Sequence, residues 1–236
     1  MNANDPNVAM LELVAEHLGD TLREELVFVG GAVAGVLITD PAMPEIRPTQ
    51  DVDVVCSVVG RADYHQLGMQ LRQRGFMEDQ RPGAPVCRWR IGEVALDVMP
   101  TDEQILGFAN RWYPLAMATA ETHALPSGRS IRLVSAPVFL ATKLEAFHGR
   151  GPSDIRLSHD LEDLMAVIDG RASLPEECRL SPPDLQGYLA EQFAALLDDP
   201  NFQEALPCFL PQDPASQERR AELVETLRSI VGLLTT

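Results

Sequence analysis

In Asp51-Val52-Asp53-Val54-Val55-Cys56-Ser57-Val58 the side chains fall into two sets. Asp51, Asp53, Val55 and Ser57 lie on one side, and Val52, Val54, Cys56 and Val58 on the other. A period of two is that of a β-strand, so both carboxylates project from the same face. Like charges held side by side oppose folding unless a cation lies between them or water screens them. Taken by itself the pair fits either of two environments. One is a site for Mg²⁺, which takes carboxylate and phosphate oxygens; the other is a solvated strand face.

Moving outward, residues 26–29 form a short apolar run that ends in Gly30-Gly31, followed by the helix-compatible stretch 32–38. Glycines let the backbone approach a ligand closely, and free amides where a helix begins favour an anion. A plain strand-to-helix turn would use the same residues. Residues 39–49 hold three prolines and read as a loop. On the other side, residues 64–74 read as a helix stopped by Gly75, and 76–79, 86–91 and 94–99 as strands. The last two are joined through Gly92-Glu93 in a tight hairpin. Asp97 is a lone carboxylate in the apolar strand 94–99, where it needs a partner: a metal, a salt bridge or the open end of the strand. A phosphate cradle, a carboxylate pair and a third carboxylate on a neighbouring strand together describe a metal-assisted phosphoryl-transfer site.

Residues 8–22 carry apolar residues at helical spacing behind Asp5-Pro6, an N-cap followed by proline in the first turn. A further strand is expected at 130–134. Beyond it the chain turns helical, with segments at 136–147, 158–168, 183–197 and 215–234, and a polar stretch around Gly149, Gly151 and Pro152. The expected fold is therefore α/β (α+β): a small mixed sheet flanked by helices in residues 1–134, followed by a helical region, 135–236.

Composition narrows the partners. The sequence has 236 residues, 19 Lys and Arg against 35 Asp and Glu, and a formal net charge of −16. Such a surface repels phosphate backbones, so extended DNA binding is not expected. Arg72, Arg74, Arg81, Arg88 and Arg90 form a local basic cluster, readable as solvated surface or as a nucleic-acid contact. No apolar run is long enough for a membrane span, and residues 1–6 lack the order of a signal peptide. Cys56, Cys87, Cys178 and Cys208 are scattered, as expected of reduced thiols in a cytoplasmic protein. Gly30-Gly31 lacks the Lys-Ser/Thr of a P-loop, and no Ser-His-Asp arrangement stands out among the five histidines.

The order strand, Gly-Gly, helix, Asp-x-Asp strand, single-Asp strand resembles the polymerase-β-like nucleotidyltransferase superfamily. Arg47-Pro48-Thr49-Gln50-Asp51-Val52-Asp53 is similar to the Arg-x-Ser/Thr-x-Asp-hydrophobic-Asp run of the AbiEii-type toxins. Lys143-Leu144-Glu145-Ala146 through Arg150, and His159-Asp160-Leu161-Glu162-Asp163-Leu164, resemble two downstream segments of that family. The resemblance covers about residues 27–164. Ala32 stands where the family usually has Ser or Thr, and the loop before Asp51 is longer than expected.

The resemblance implies transfer of a nucleoside monophosphate from an NTP to an acceptor hydroxyl. It implies Mg²⁺ or Mn²⁺ held by Asp51, Asp53 and Asp97, with Asp97 also a base for the acceptor. The Gly30 and Gly31 amides would cradle the triphosphate, Lys143 would add positive charge, Asp160 would orient Lys143 or the acceptor, and Arg47 would position the Asp51 loop. The acceptor would be RNA, protein or a small molecule, and a toxin would have an antitoxin partner. A small-molecule nucleotidyltransferase, such as an antibiotic-modifying enzyme, and a catalytically weak nucleotide-binding or interaction module remain as alternatives.

Overall fold

A computed structural model of the chain describes residues 5–150, 155–210 and 212–232. The expectations touching Gly151, Pro152, the first four residues and the end of the 215–234 helix lie outside these. The chain divides into two compact units, Met1–Val36 with Arg47–Ser135, and Leu37–Ile46 with Ala136–Thr236.

In the first unit, helix α1 (Pro6–Glu25) starts where Asp5 accepts a hydrogen bond from the Asn7 amide, with proline in the first turn. Its stripe of Leu11, Val14, Ala15, Leu18 and Leu22 is buried at helical spacing. It runs into β1 (Val27–Val29), which ends in the glycine turn. Instead of one helix over 32–38, the turn leads into a 3₁₀ turn, Gly31–Val33, and the short helix α2 (Ala34–Leu37). Then come β2 (Asp51–Cys56), α3 (Arg61–Gln73), β3 (Met77–Glu78), β4 (Arg88–Ile91) and β5 (Val94–Pro100). Helices α4 (Glu103–Leu106) and α5 (Tyr113–Thr119) precede the hairpin β6 (Glu121–Ala124) and β7 (Ser130–Leu133).

These strands make a seven-stranded mixed sheet in the order β3-β4-β5-β2-β1-β7-β6. β2 is parallel to β5 and antiparallel to β1, while β1 is parallel to β7. The register sets the two faces. Trp89, Leu96, Val52, Val54, Phe28 and Leu133 fall on one face across β4, β5, β2, β1 and β7, and all are buried. Helix α3 lies on this face: the Trp89 indole sits against Gly68, where a Cβ would come within 3.2 Å of it. The Tyr64 hydroxyl donates to the Val98 carbonyl at 2.8 Å. The opposite face carries Arg88, Asp97, Asp51 and Asp53. Helix α5 lies on that side, where Tyr113 donates to Met99 Sδ and Arg132 donates to the Met117 carbonyl.

The second unit is built from α6 (Ala136–Gly149), α7 (His159–Asp169), α8 (Leu174–Arg179), α9 (Pro183–Asp198), α10 (Pro200–Ala205), α11 (Pro214–Glu218) and α12 (Arg220–Gly232). Phe139, Leu144, Leu161, Leu164, Leu189, Phe193 and Leu227 form its core. The helix expected from 215 onward is broken at Arg219, whose guanidinium turns to Asp169 at 2.9 Å. Residues 37–46 are strapped onto this unit: the Thr39 and Asp40 amides donate to the Gly170 carbonyl, and Arg171 donates to the Leu37 carbonyl.

No helix among the described residues is long and apolar enough to cross a membrane. Cys56, Cys87 and Cys178 are buried, and burial pushes each thiol up to about 12, whereas Cys208 is exposed. Only the thiolate is nucleophilic. A disulfide-exchange reagent should therefore titrate one thiol promptly in the native protein and four after unfolding; two or more prompt thiols would contradict this packing.

Candidate functional site

The register brings the expected carboxylates together. Asp53 on β2 faces Asp97 on β5, and Asp97 faces Arg88 on β4, so Arg88, Asp97 and Asp53 line up across three strands. Asp51 sits two residues from Asp53 on the same face. On the other side of β2, Val29 pairs with Asp53, which places the glycine turn beside that carboxylate.

Gly30 has φ 75° and ψ −170°, a region essentially reserved for glycine. A Cβ built there would lie 1.9 Å from Asp53 Oδ2 and 2.8 Å from Asp53 Cβ. The missing side chain is thus what lets the Asp53 carboxylate lie directly over the turn backbone. Gly30→Ala should cost about 1–3 kcal/mol from backbone strain alone and push Asp53 out of place. Urea unfolding would read the first effect and the ¹³Cγ chemical shift of Asp53 the second; an alanine variant with wild-type values of both would sink the argument.

Arg88 was expected on a basic surface, but the structure turns it onto the carboxylates. Its Nε donates to Asp97 Oδ1 at 2.8 Å, and its Nη2 donates to Asp97 Oδ2 at 2.7 Å and to Asp51 Oδ2 at 2.5 Å. Hydrogen bonding to Asp97, reinforced by the Asp97 and Asp51 charges, raises its pKa beyond the ordinary arginine value. The rest of the cluster is also engaged. Arg72 pairs with Glu78 and stacks over Trp89, Arg81 pairs with Asp79, Arg90 pairs with Glu93, and Arg74 donates to the Leu18 carbonyl. Each of the five therefore has a partner, with Arg72 and Arg81 still exposed to solvent.

Two further residues shape the site. Tyr113, 8% exposed, has its hydroxyl pKa pushed well up, first by burial and then by the Asp53 carboxylate. It stays a neutral phenol, a donor on an acidic face. Asn7, buried in the first turn of α1, holds the approach to β2: its amide donates to the Arg47 carbonyl and its Oδ1 accepts from the Thr49 backbone at 2.8 Å. The Thr49 hydroxyl donates to the Asp51 carbonyl. Arg47 contributes to this clasp through its backbone, and its guanidinium donates to the Pro48 carbonyl.

Lys143 and Asp160 belong to the helical unit. The Lys143 ammonium lies 2.6 Å from Asp163 Oδ2 and 3.3 Å from Asp160 Oδ1, and Arg150 Nε lies 2.8 Å from Asp160 Oδ2. Lys143, Asp160 and Asp163 are all buried. Asp160 does contact Lys143, while Asp163 is the nearer partner.

Carboxylate oxygens, the donors that a hard divalent cation takes, come here from adjacent strands, and Asp53 Oδ2 fills the space that a Gly30 Cβ would occupy. As the side chains stand, no three His, Cys, Asp or Glu residues among the described residues converge as a metal site. The cation between Asp51 and Asp97 is Arg88.

Neither a protein-family profile nor a curated protein matches the sequence. Solved structures that share the fold include two from Helicobacter pylori. JHP933 from Helicobacter pylori is 15% identical, with a TM-score of 0.51, over 96% of this chain and 91% of its own. A protein of H. pylori provisionally assigned as a nucleotidyltransferase is 12% identical, with a TM-score of 0.50, over 100% of this chain and 98% of its own.

Proposed function

We propose that the chain is a nucleotidyltransferase that moves a nucleoside monophosphate from an NTP to an acceptor hydroxyl. The observation that carries this is the seating of Asp53 directly on the side-chain-free Gly30, with Asp51 beside it and Asp97 facing it. The likeness of fold to a provisional nucleotidyltransferase supports the same reading.

In this proposal the Gly30 and Gly31 backbone binds the triphosphate. Asp51 and Asp53, with Asp97 as third ligand, would hold Mg²⁺ or Mn²⁺. Such ions supply positive charge to the phosphates and lower the pKa of the attacking hydroxyl. Asn7 and Thr49 fix the start of β2 and so the position of Asp51. Tyr113 donates its hydroxyl hydrogen bond to Met99 Sδ on the same face of the sheet. Lys143 and Asp160 keep the roles that the resemblance implies, phosphate neutralisation and orientation. Arg47 keeps its role of positioning the Asp51 loop.

Action as a toxin on RNA or protein, with an antitoxin partner, is the finer form of the proposal. Incubating the protein with each α-labelled NTP, Mg²⁺ or Mn²⁺ and total cellular RNA or protein tests it. Label should enter one acceptor class and depend on Asp53. Label on a small hydroxylated molecule would favour the antibiotic-modifying type. NTP binding without transfer to any acceptor would overturn the enzymatic reading in favour of a nucleotide-binding module.

A further inference from the structure

We infer that Arg88 is a built-in counter-cation, which holds Asp51 and Asp97 together without metal and which a divalent ion must displace. This rests on the proposed metal-binding role of the three aspartates.

Both oxygens of Asp97 accept N–H bonds from Arg88, and the same Nη2 reaches Asp51 Oδ2. The guanidinium thus occupies the space between two of the three proposed ligands. An arginine cannot empty that space by losing its proton, because it remains charged at any working pH. It can only move. Its side chain is 21% exposed, so the head has water to swing into, whereas Asp97, at 10%, is fixed within its strand. A divalent ion and a guanidinium sharing Asp51 and Asp97 would repel each other at short range. A planar fork also fits a carboxylate in a way that a lysine ammonium does not.

Two consequences separate this from a merely structural ion pair. Metal affinity should rise when Arg88 is removed, and the lost ion pair should make metal-free protein less stable in a way that metal repairs.

Calorimetric titration with MnCl₂ of the full chain and of Arg88→Gln should show about tenfold or greater tightening in the variant. Arg88→Lys, which keeps the charge but not the fork, should fall between. The melting temperature of Arg88→Gln should lie below wild type without metal and rise more steeply with MnCl₂. Should Arg88→Gln fail to fold, the wild-type protein still decides. The ¹⁵N resonance of Arg88 Nε should leave its hydrogen-bonded position as MgCl₂ saturates the site.

Equal or weaker Mn²⁺ binding in a folded Arg88→Gln, or an Arg88 Nε signal unmoved at saturating Mg²⁺, would overturn the counter-cation role. It would leave the aspartates as metal ligands. No Mn²⁺ binding to either folded protein would overturn the metal-binding reading itself, and this inference with it.

Discussion

Asp53→Asn is expected to lower nucleotidyl transfer by about 10²–10³-fold while leaving the fold intact, a magnitude typical of losing one preorganised electrostatic group. Asparagine keeps the shape that lies over Gly30, removes the charge and puts an NH₂ donor in place of one acceptor oxygen. Steady-state rates at saturating NTP, with circular dichroism as a control for folding, give the comparison. The loss should lie mainly in kcat, because in the proposed role Asp53 holds the ion that neutralises the reacting phosphate. A variant that transfers nucleotide within a few-fold of wild type would rule out the assignment of Asp53.

Lys143→Ala should destabilise the protein by about 3–5 kcal/mol, the usual cost of breaking a buried ion pair. The mutation takes away an ammonium 2.6 Å from one buried carboxylate and 3.3 Å from another. For a chain of this length that is a fall in Tm on the order of 10 °C. Replacing the pair together, Lys143→Met with Asp163→Leu, should recover part of the loss, since Asp163 is no longer a buried charge while Asp160 keeps only the exposed Arg150 in place of Lys143. Urea unfolding of the single and double variants separates the coupling from the side-chain losses. Additive losses would show that the pair contributes nothing as a pair. The cycle also bears on the proposed phosphate role: a double variant that is stable yet has an unchanged KM for NTP would leave Lys143 with a structural role only.

The sheet was legible wherever alternation or a turn announced it. Asp51 and Asp53 lie on β2 as the period of two requires, and Gly92-Glu93 closes the β4–β5 hairpin. Strand β6 was not legible. Glu121, Thr122 and Ala124 are exposed on the sheet edge, so no buried face imprints an alternation on the sequence. Helix α5 was missed because it is one short segment with proline in its first turn. The final helix was read as continuous because nothing in the sequence around Arg219 shows that its partner is Asp169, 50 residues earlier. At the site, Asp51 and Asp53 share a face as their spacing requires, whereas Arg88, read as solvated surface or as a nucleic-acid contact, turns onto the carboxylates. Its partner Asp97 is nine residues away, and Asp51 is 37. Only the pairing of β4 with β5 reveals which face Arg88 takes.

The strap at residues 37–46 has a consequence for how the protein is made. Its backbone amides wait for the carbonyl of Gly170, and Met43 for Arg219, 176 residues further along. At a synthesis rate of about 5–20 residues per second, these ten residues leave the ribosome roughly 10–30 s before their docking surface exists. A nascent chain whose first 135 residues have emerged from the ribosome has all the strands of its sheet outside, but its early loop is still without its seat. Ribosome-bound intermediates of this length are thus the point at which a protease or a chaperone finds that segment open.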